Sequence, residues 1–255
     1  MRPSVPGART PPPNPFPQGE GEYVRFAPRR VMPSGRWSDL RLRVLSAAVL
    51  APLALICIWL GGMAFGGLML VATVGLVIEW LGMVRQGHGT TVILVAGAAY
   101  ILLAAAGLIW LREDPAAGRA NLLFLLVLVW ASDIGAYAAG RAIGGPRLAP
   151  RISPGKTVSG ALGGLLAAVL VGVIAAPATA APSWRGGLIA GLLGIVAQAG
   201  DLGESHVKRQ FGVKDSGRLI PGHGGLLDRL DALLAAALAA SLLALMEGRG
   251  VVLWR

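Results

Sequence analysis

The chemistry-bearing residues of this chain concentrate between Gln198 and Asp231. Asp201, Ser205 and Lys208 recur at i, i+4 and i+7, so a helical segment stacks them on one face, with Glu204 at its border. A basic, glycine-rich loop over 212–225 follows and carries Lys214, Asp215, Arg218 and His223. Asp228 and Asp231 then share a second helical face at i and i+3, next to Arg229. Two helix ends bearing carboxylates are thus joined by a loop suited to phosphate. Oxygen-only ligands favour Mg²⁺, which takes one or two carboxylates plus phosphate oxygens. Glycines let backbone N–H groups approach phosphates, and Lys208, Arg209 and Lys214 can neutralise them. This is the equipment of phosphoryl or nucleotidyl transfer. The structural alternative pairs Asp201 with Lys208 and Asp228 with Arg229 at a membrane interface, but leaves the glycine density unexplained. His223 either donates to phosphate or holds the loop shape, while His88 and His206 read as structural.

Two further charges interrupt apolar runs, where each costs at least ~2.5–3.5 kcal/mol on insertion scales. Glu79 stands near a run's end and can be solvated at the interface in a structural role. Asp133 lies deep in Trp130-Ala-Ser-Asp-Ile-Gly-Ala-Tyr137, with Trp130 at i−3 and Tyr137 at i+4. A hydrogen bond to Tyr137 would explain it structurally; a cation or substrate site is the functional reading.

The elements that must position these groups are membrane helices. Of 255 residues, 55% are hydrophobic and only 14% charged, with a mean hydropathy of +0.65. That excludes an ordinary soluble enzyme or a disordered chain and predicts an all-α, polytopic membrane protein. Apolar stretches fall at 44–60, 64–84, 92–111, 121–140, 157–176, 187–203 and 225–246, most near the ~20 residues a span needs. We expect about seven spans. Close glycine pairs such as Gly163-Gly164 and Gly186-Gly187 predict tight helix packing rather than chemistry.

The net charge is +10. With the N-terminus inside, most basic loop residues fall on inner loops: Arg85, then Arg141, Arg147, Arg151 and Lys156, then Lys208, Arg209, Lys214 and Arg218. Outer loops hold Arg112, Arg119 and Arg185. The asymmetry predicts N-in and a cytosolic site, with anionic lipid or phosphate rather than nucleic acid as partner. Residues 1–39 contain more than half of the 17 prolines and no apolar periodicity, which predicts a disordered, Pro/Arg-rich cytosolic tail ahead of a membrane-embedded domain over 40–255. The single cysteine, Cys57, excludes an internal disulfide and any cysteine-based zinc or iron–sulfur site.

The uninterrupted run Ser205-His-Val-Lys-Arg-Gln-Phe-Gly-Val-Lys-Asp-Ser-Gly-Arg-Leu-Ile-Pro-Gly-His-Gly-Gly-Leu-Leu-Asp-Arg-Leu-Asp231 resembles the signature of the phosphatidate cytidylyltransferase (CDP-diacylglycerol synthase) family. Ser132-Asp-Ile-Gly-Ala-Tyr137 and Leu148-Ala-Pro-Arg-Ile-Ser-Pro-Gly-Lys-Thr157 resemble two further blocks, so the resemblance covers roughly 44–247. It implies a Mg²⁺-dependent reaction in which CTP and phosphatidate give CDP-diacylglycerol and pyrophosphate, in a bacterial-type inner membrane. It implies Asp201, Asp228, Lys208 and Asp133 as catalytic positions, the first two also holding the metal. Ser205, Arg209, Lys214, Asp215, His223, Lys156 and Arg229 are implied as substrate-binding. A second, monovalent cation and a homodimer stay open. The phosphate nucleophile is already ionised at neutral pH, so the lack of a Ser-His-Asp or Cys-His arrangement is expected.

One departure is the short connection over 85–91, where such proteins usually carry more chain; it affects span count and dimer packing more than activity. The alternatives are weaker. An alcohol phosphotransferase consuming CDP-lipid needs a second aspartate pair that this sequence lacks. An ion-coupled transporter using Asp133 and Glu79 would want matching halves around a midplane site.

Overall fold

The computed structural model describes residues 36–86, 90–217, 219–220 and 224–255. The tail expected over 1–39 therefore lies almost wholly outside the described residues. The chain runs α1 (Arg36–Leu60), α2 (Gly62–Gln86), α3 (Thr91–Arg112), α4 (Gly118–Ala142), β1 (Arg147–Ala149), β2 (Ser153–Thr157), α5 (Val158–Ala175), α6 (Ser183–Gln210) and α7 (Leu227–Glu247), with a 3₁₀ turn at Ala176–Thr179. Each expected apolar stretch is a helix. Six are long and apolar enough to cross a membrane; the apolar part of α1, Val44–Leu60, is shorter.

The bundle is apolar outside as well as inside. Leu76, Leu125, Leu128 and Leu234 are buried, while Leu70, Val71, Leu162, Leu166 and Leu242 face outward. That pattern suits a bilayer, where backbone groups must be satisfied within helices and side chains need no water. Glycine sets the closest approaches. A Cβ on Gly135 would lie 2.7 Å from the Gly163 carbonyl oxygen, and one on Gly164 would lie 2.8 Å from that of Ser132. Hence α4 and α5 touch backbone to backbone, as the Gly163-Gly164 pair predicted. Gly172 and Gly186 bring α5 and α6 together in the same way.

Two features depart from the sequence expectation. The segment expected as a plain loop over 141–156 contains an antiparallel hairpin, pairing Arg147 with Thr157 and Ala149 with Ser153. Gly144 and Gly145, both at positive φ, turn the chain out of α4 into it. Second, the inner loop expected from 204 begins later: helix α6 runs past the apolar stretch to Gln210, which makes the Asp201–Lys208 segment helical, as their spacing requires.

The other end of the bundle is closed by polar anchors. Buried Arg112 donates to the carbonyls of Ile58 at 2.5 Å and Trp59 at 3.0 Å, satisfying the C-terminus of α1. Asn121 clamps the C-terminal segment, donating to Val251 O at 3.1 Å and accepting from Leu253 N at 2.8 Å. Trp254 packs on Phe124 with centroids 4.5 Å apart. Asp114 accepts from the backbone N–H groups of Ala116, Ala117 and Gly250. Burial alone would raise its carboxyl, but these bonds and nearby Arg249 outweigh it and hold the carboxyl below its ordinary range.

Candidate active site

The site gathers at the end of the bundle where α4, α6 and α2 finish and α5 and α7 begin. On α6 the i, i+4 stacking is real: Ser205 Oγ donates to Asp201 Oδ1 at 3.5 Å. Asp201 does not pair with Lys208, however. Its Oδ2 accepts from Lys156 Nζ at 2.5 Å, so the ion pair joins α6 to β2. Lys208 is buried and bridges Asp228 Oδ1 at 2.6 Å and Glu204 Oε2 at 3.1 Å. The interface pairings weighed from sequence, Asp201 with Lys208 and Asp228 with Arg229, are therefore not the ones that form. Helix register puts Lys208 beside Glu204, and the packing of α7 on α6 brings in Asp228.

Asp228 organises the loop before α7. Its carboxylate accepts from Ser216 N at 3.2 and 3.0 Å and from Gly225 N at 3.1 Å, besides Lys208. Glu79 does the same from below. It is 5% exposed rather than solvated, and accepts from Leu227 N at 2.9 Å and from Ser216 Oγ and Leu219 N at 3.3 Å. A Cβ on Gly217 would run into the Glu79 carboxylate, so glycine there serves close approach. The structural role read for Glu79 stands; the solvation does not.

The remaining expected residues divide. Arg209 Nε donates to Ile152 O at 3.2 Å and its Nη1 to Val213 O at 3.0 Å, tying the hairpin to the end of α6. Lys214 and Asp215 are exposed on the loop, and Arg229 is exposed at the start of α7. His223 lies outside the described residues, as do Arg218 and His88. Asp133 makes no hydrogen bond to Tyr137 among the described residues; both line a cavity instead. His206 is exposed and contacts Gln210 at 3.0 Å.

Two cavities meet here. One, of about 720 Å³, runs between α1, α2, α4 and α7 with walls such as Ala51, Phe65, Met69, Leu126 and Leu233, and ends at Asp133, Asp201, Asp228, Arg229 and Asp231. The other, of about 600 Å³, lies between α4, α5, α6 and the hairpin, lined by Tyr137, Arg141, Arg147, Lys156, Thr157 and Gln198, and again by Asp133 and Asp201. Asp133 and Asp201 border both. Sequence reading saw Arg141 and Arg147 only as loop charge, Tyr137 only as the neighbour of Asp133, and Gln198 only as the first residue of the chemistry-dense segment; the structure makes all four cavity residues.

For a metal, the donor chemistry fits a hard cation. Among the described residues no three His, Cys, Asp or Glu side chains form a ready cluster. The carboxylates of Asp201 and Asp228 nevertheless open on the same cavity, and Glu204 Oε1 is buried, meeting no N–H donor among the described residues and facing the Asp231 carboxyl. Mg²⁺ needs only one or two such carboxylates, the rest coming from substrate and water. Asp201 and Asp228 hold lysines here, so ligation would exchange an ammonium for the cation.

Residues 90–246, which run from α3 through the hairpin to the last turn of α7, match the model of the Cytidylyltransferase family. The chain belongs to that family. It is 42% identical to the phosphatidate cytidylyltransferase of Brucella suis over 246 aligned positions, covering 78% of this chain and 91% of the relative. That of Rickettsia bellii is 36% identical, covering 78% and 88%. That of Synechocystis is 52% identical over 127 residues, or 49% of this chain and 43% of the relative. The 246 positions of the Brucella comparison use only 78% of these 255 residues, so that relative carries stretches this chain lacks.

Proposed function

We propose that the apolar cavity takes the acyl chains of phosphatidate, the polar cavity takes CTP, and the two substrates meet at Asp133 and Asp201. The chain transfers the cytidylyl group of CTP to phosphatidate. A phosphate oxygen of the lipid bonds to the α-phosphorus, the bond to the bridging oxygen of the β-phosphate breaks, and pyrophosphate leaves. The observation that carries the reading is the pair of cavities, one apolar and one basic, sharing two carboxylates. The carboxylates gather at one end of the bundle, which is the wrong place for a midplane transport site.

The chain's own residues do three things in this reading. Lys156, Arg141 and Arg147 neutralise the triphosphate as it approaches a like-charged lipid phosphate. Lys208 is held by Glu204 and Asp228, ready to follow charge onto the leaving group. Glu79 and Asp228 hold Ser216, Leu219, Gly225 and the start of α7 beside the junction. Asp201, with Asp228, would hold Mg²⁺, which would neutralise phosphate oxygens and favour pyrophosphate as leaving group. A monovalent cation near Glu204 and a homodimer belong to the same proposal. So do a bacterial inner-membrane location and a cytosolic site; the clustering of Arg141, Arg147, Arg151 and Lys156 at the site's end of the bundle supports that orientation.

The test uses purified full-length protein in detergent, labelled CTP and phosphatidate, with transfer of label into chloroform. Asp201→Asn should abolish transfer while the protein still folds; near-normal turnover at saturating Mg²⁺ rejects the assignment. Ala72→Phe, which fills the apolar cavity, should raise KM for phosphatidate and leave KM for CTP unchanged. If it raises KM for CTP instead, the cavity assignments are reversed. Arg151→Cys in a Cys57→Ser background should react with an impermeant maleimide only in inside-out vesicles; labelling of intact cells refutes the orientation.

A further inference from the structure

We infer that Gln198 selects cytosine over uracil by accepting a hydrogen bond from the N4 amino group of CTP. The inference rests on the reading that the polar cavity holds the nucleotide. Gln198 sits half-buried on α6, one turn before Asp201, and lines that cavity. Its Nε2 donates to Ala161 O and to Ser132 Oγ, both at 3.3 Å.

The orientation of the amide follows from chemistry. A backbone carbonyl only accepts, so the end of the amide facing Ala161 O must be the nitrogen. Both hydrogens of that nitrogen are then used inside the protein. The Ser132 side of the tether is 1% exposed and does not yield to solvent. Oε1 is thereby fixed as an acceptor, and among the described residues no donor reaches it. Of the cavity's other polar side chains, Arg141, Arg147 and Lys156 are cations that suit phosphate, Asp133 and Asp201 are the carboxylates at the junction, Thr157 caps α5, and Tyr137 is a phenol whose hydroxyl can turn. Gln198 is the neutral, direction-fixed acceptor among them.

Cytosine presents an amino donor at C4 where uracil presents a carbonyl acceptor. Against a fixed acceptor, CTP makes a hydrogen bond. UTP sets two oxygen acceptors face to face and leaves both unpaired. Sites built around one hydrogen bond reject analogues that cannot make it far more strongly than sites that sense size alone. A freely rotating glutamine would turn its nitrogen to uracil and lose this discrimination. The tether to Ala161 and Ser132 is what prevents the turn.

The test compares kcat/KM for CTP, UTP and dCTP in the wild type, Gln198→Met and Ser132→Ala. A ratio between substrates is independent of how much protein is folded, so a merely structural role for Gln198 would not move it. Gln198→Met should lower the preference for CTP over UTP by about tenfold, the worth of roughly one hydrogen bond, with the dCTP/CTP ratio unchanged. Ser132→Ala keeps the Ala161 tether and should retain most of the preference. An unchanged CTP/UTP ratio in Gln198→Met overturns the inference. So does a change confined to dCTP, which would assign Oε1 to the ribose. Lys156→Ala separates the underlying reading: it should raise KM for CTP and UTP alike, and no effect on either would mean that the nucleotide binds elsewhere.

Discussion

Replacing Glu79 tests whether the site depends on a residue far from it in sequence. Its carboxylate accepts three hydrogen bonds from residues 137 to 148 positions away. Those from Leu227 N and Ser216 Oγ both reach Oε2 and are fully buried; that from Leu219 N reaches Oε1 and is partly exposed. A hydrogen bond to a charged group contributes about 1.5–3 kcal/mol. Glu79→Ala removes all three bonds and should cost roughly 4.5–9 kcal/mol. Glu79→Gln can keep its oxygen at the Oε2 position, so it loses chiefly the Leu219 bond, about 1.5–3 kcal/mol. At roughly 2–4 °C per kcal/mol for a chain of this size, the Gln variant should melt about 3–12 °C lower and the Ala variant lower still. The assay is thermal unfolding followed by size-exclusion fluorescence in detergent, paired with cytidylyl transfer measured well below the transition. Because Glu79 holds Ser216 and the start of α7, which also hold Asp228, transfer should fall even where the protein remains folded. A Glu79→Ala protein with wild-type melting and wild-type transfer would refute the argument.

Two further outcomes follow from the packing and the far end of the bundle. Gly172→Ala places a methyl against the Gly186 backbone and Ala190, so it should destabilise by about 1–3 kcal/mol. Gly67→Ala, which meets nothing within 4 Å, should leave the melting temperature unchanged; equal effects of the two would dismiss glycine packing as the cause. Asp114 has its carboxyl held below its unfolded value near ~3.9 by backbone hydrogen bonds and Arg249 that outweigh burial. Its stabilisation is therefore complete above that value and is lost as pH falls through the folded one. Asp114→Asn should be less stable than wild type at neutral pH, with the gap closing below about pH 4; a gap that persists at pH 2 contradicts the assignment.

Much of this protein was legible in one dimension because the relevant physics is local. An apolar run long enough to cross a bilayer must be helical, since no water satisfies its backbone, and all seven runs are helices. Spacing along α6 alone places Asp201 beside Ser205 and Glu204 beside Lys208. The run from Ser205 to Asp231 was enough to suggest the chemistry, because carboxylates, basic residues and glycines at that density suit a phosphate-bearing substrate. Partner choice was another matter. Lys208 could reach Asp201 by helix spacing, yet it turns to Asp228, 20 residues on, because α7 packs against that face. Lys156 then takes Asp201 from a hairpin that no periodicity announced. Glu79 was recognisable as a charge in an apolar run, but its donors lie more than 130 residues away. Gln198 stood at the edge of the chemistry-dense segment with no role of its own; the direction of its amide is fixed by a carbonyl on another helix. Local periodicity determines where helices form and which residues share a face. Which buried charge meets which, and which way a neutral polar group points, is decided by long-range packing, since a buried group takes whatever partner the neighbouring element brings within hydrogen-bond distance.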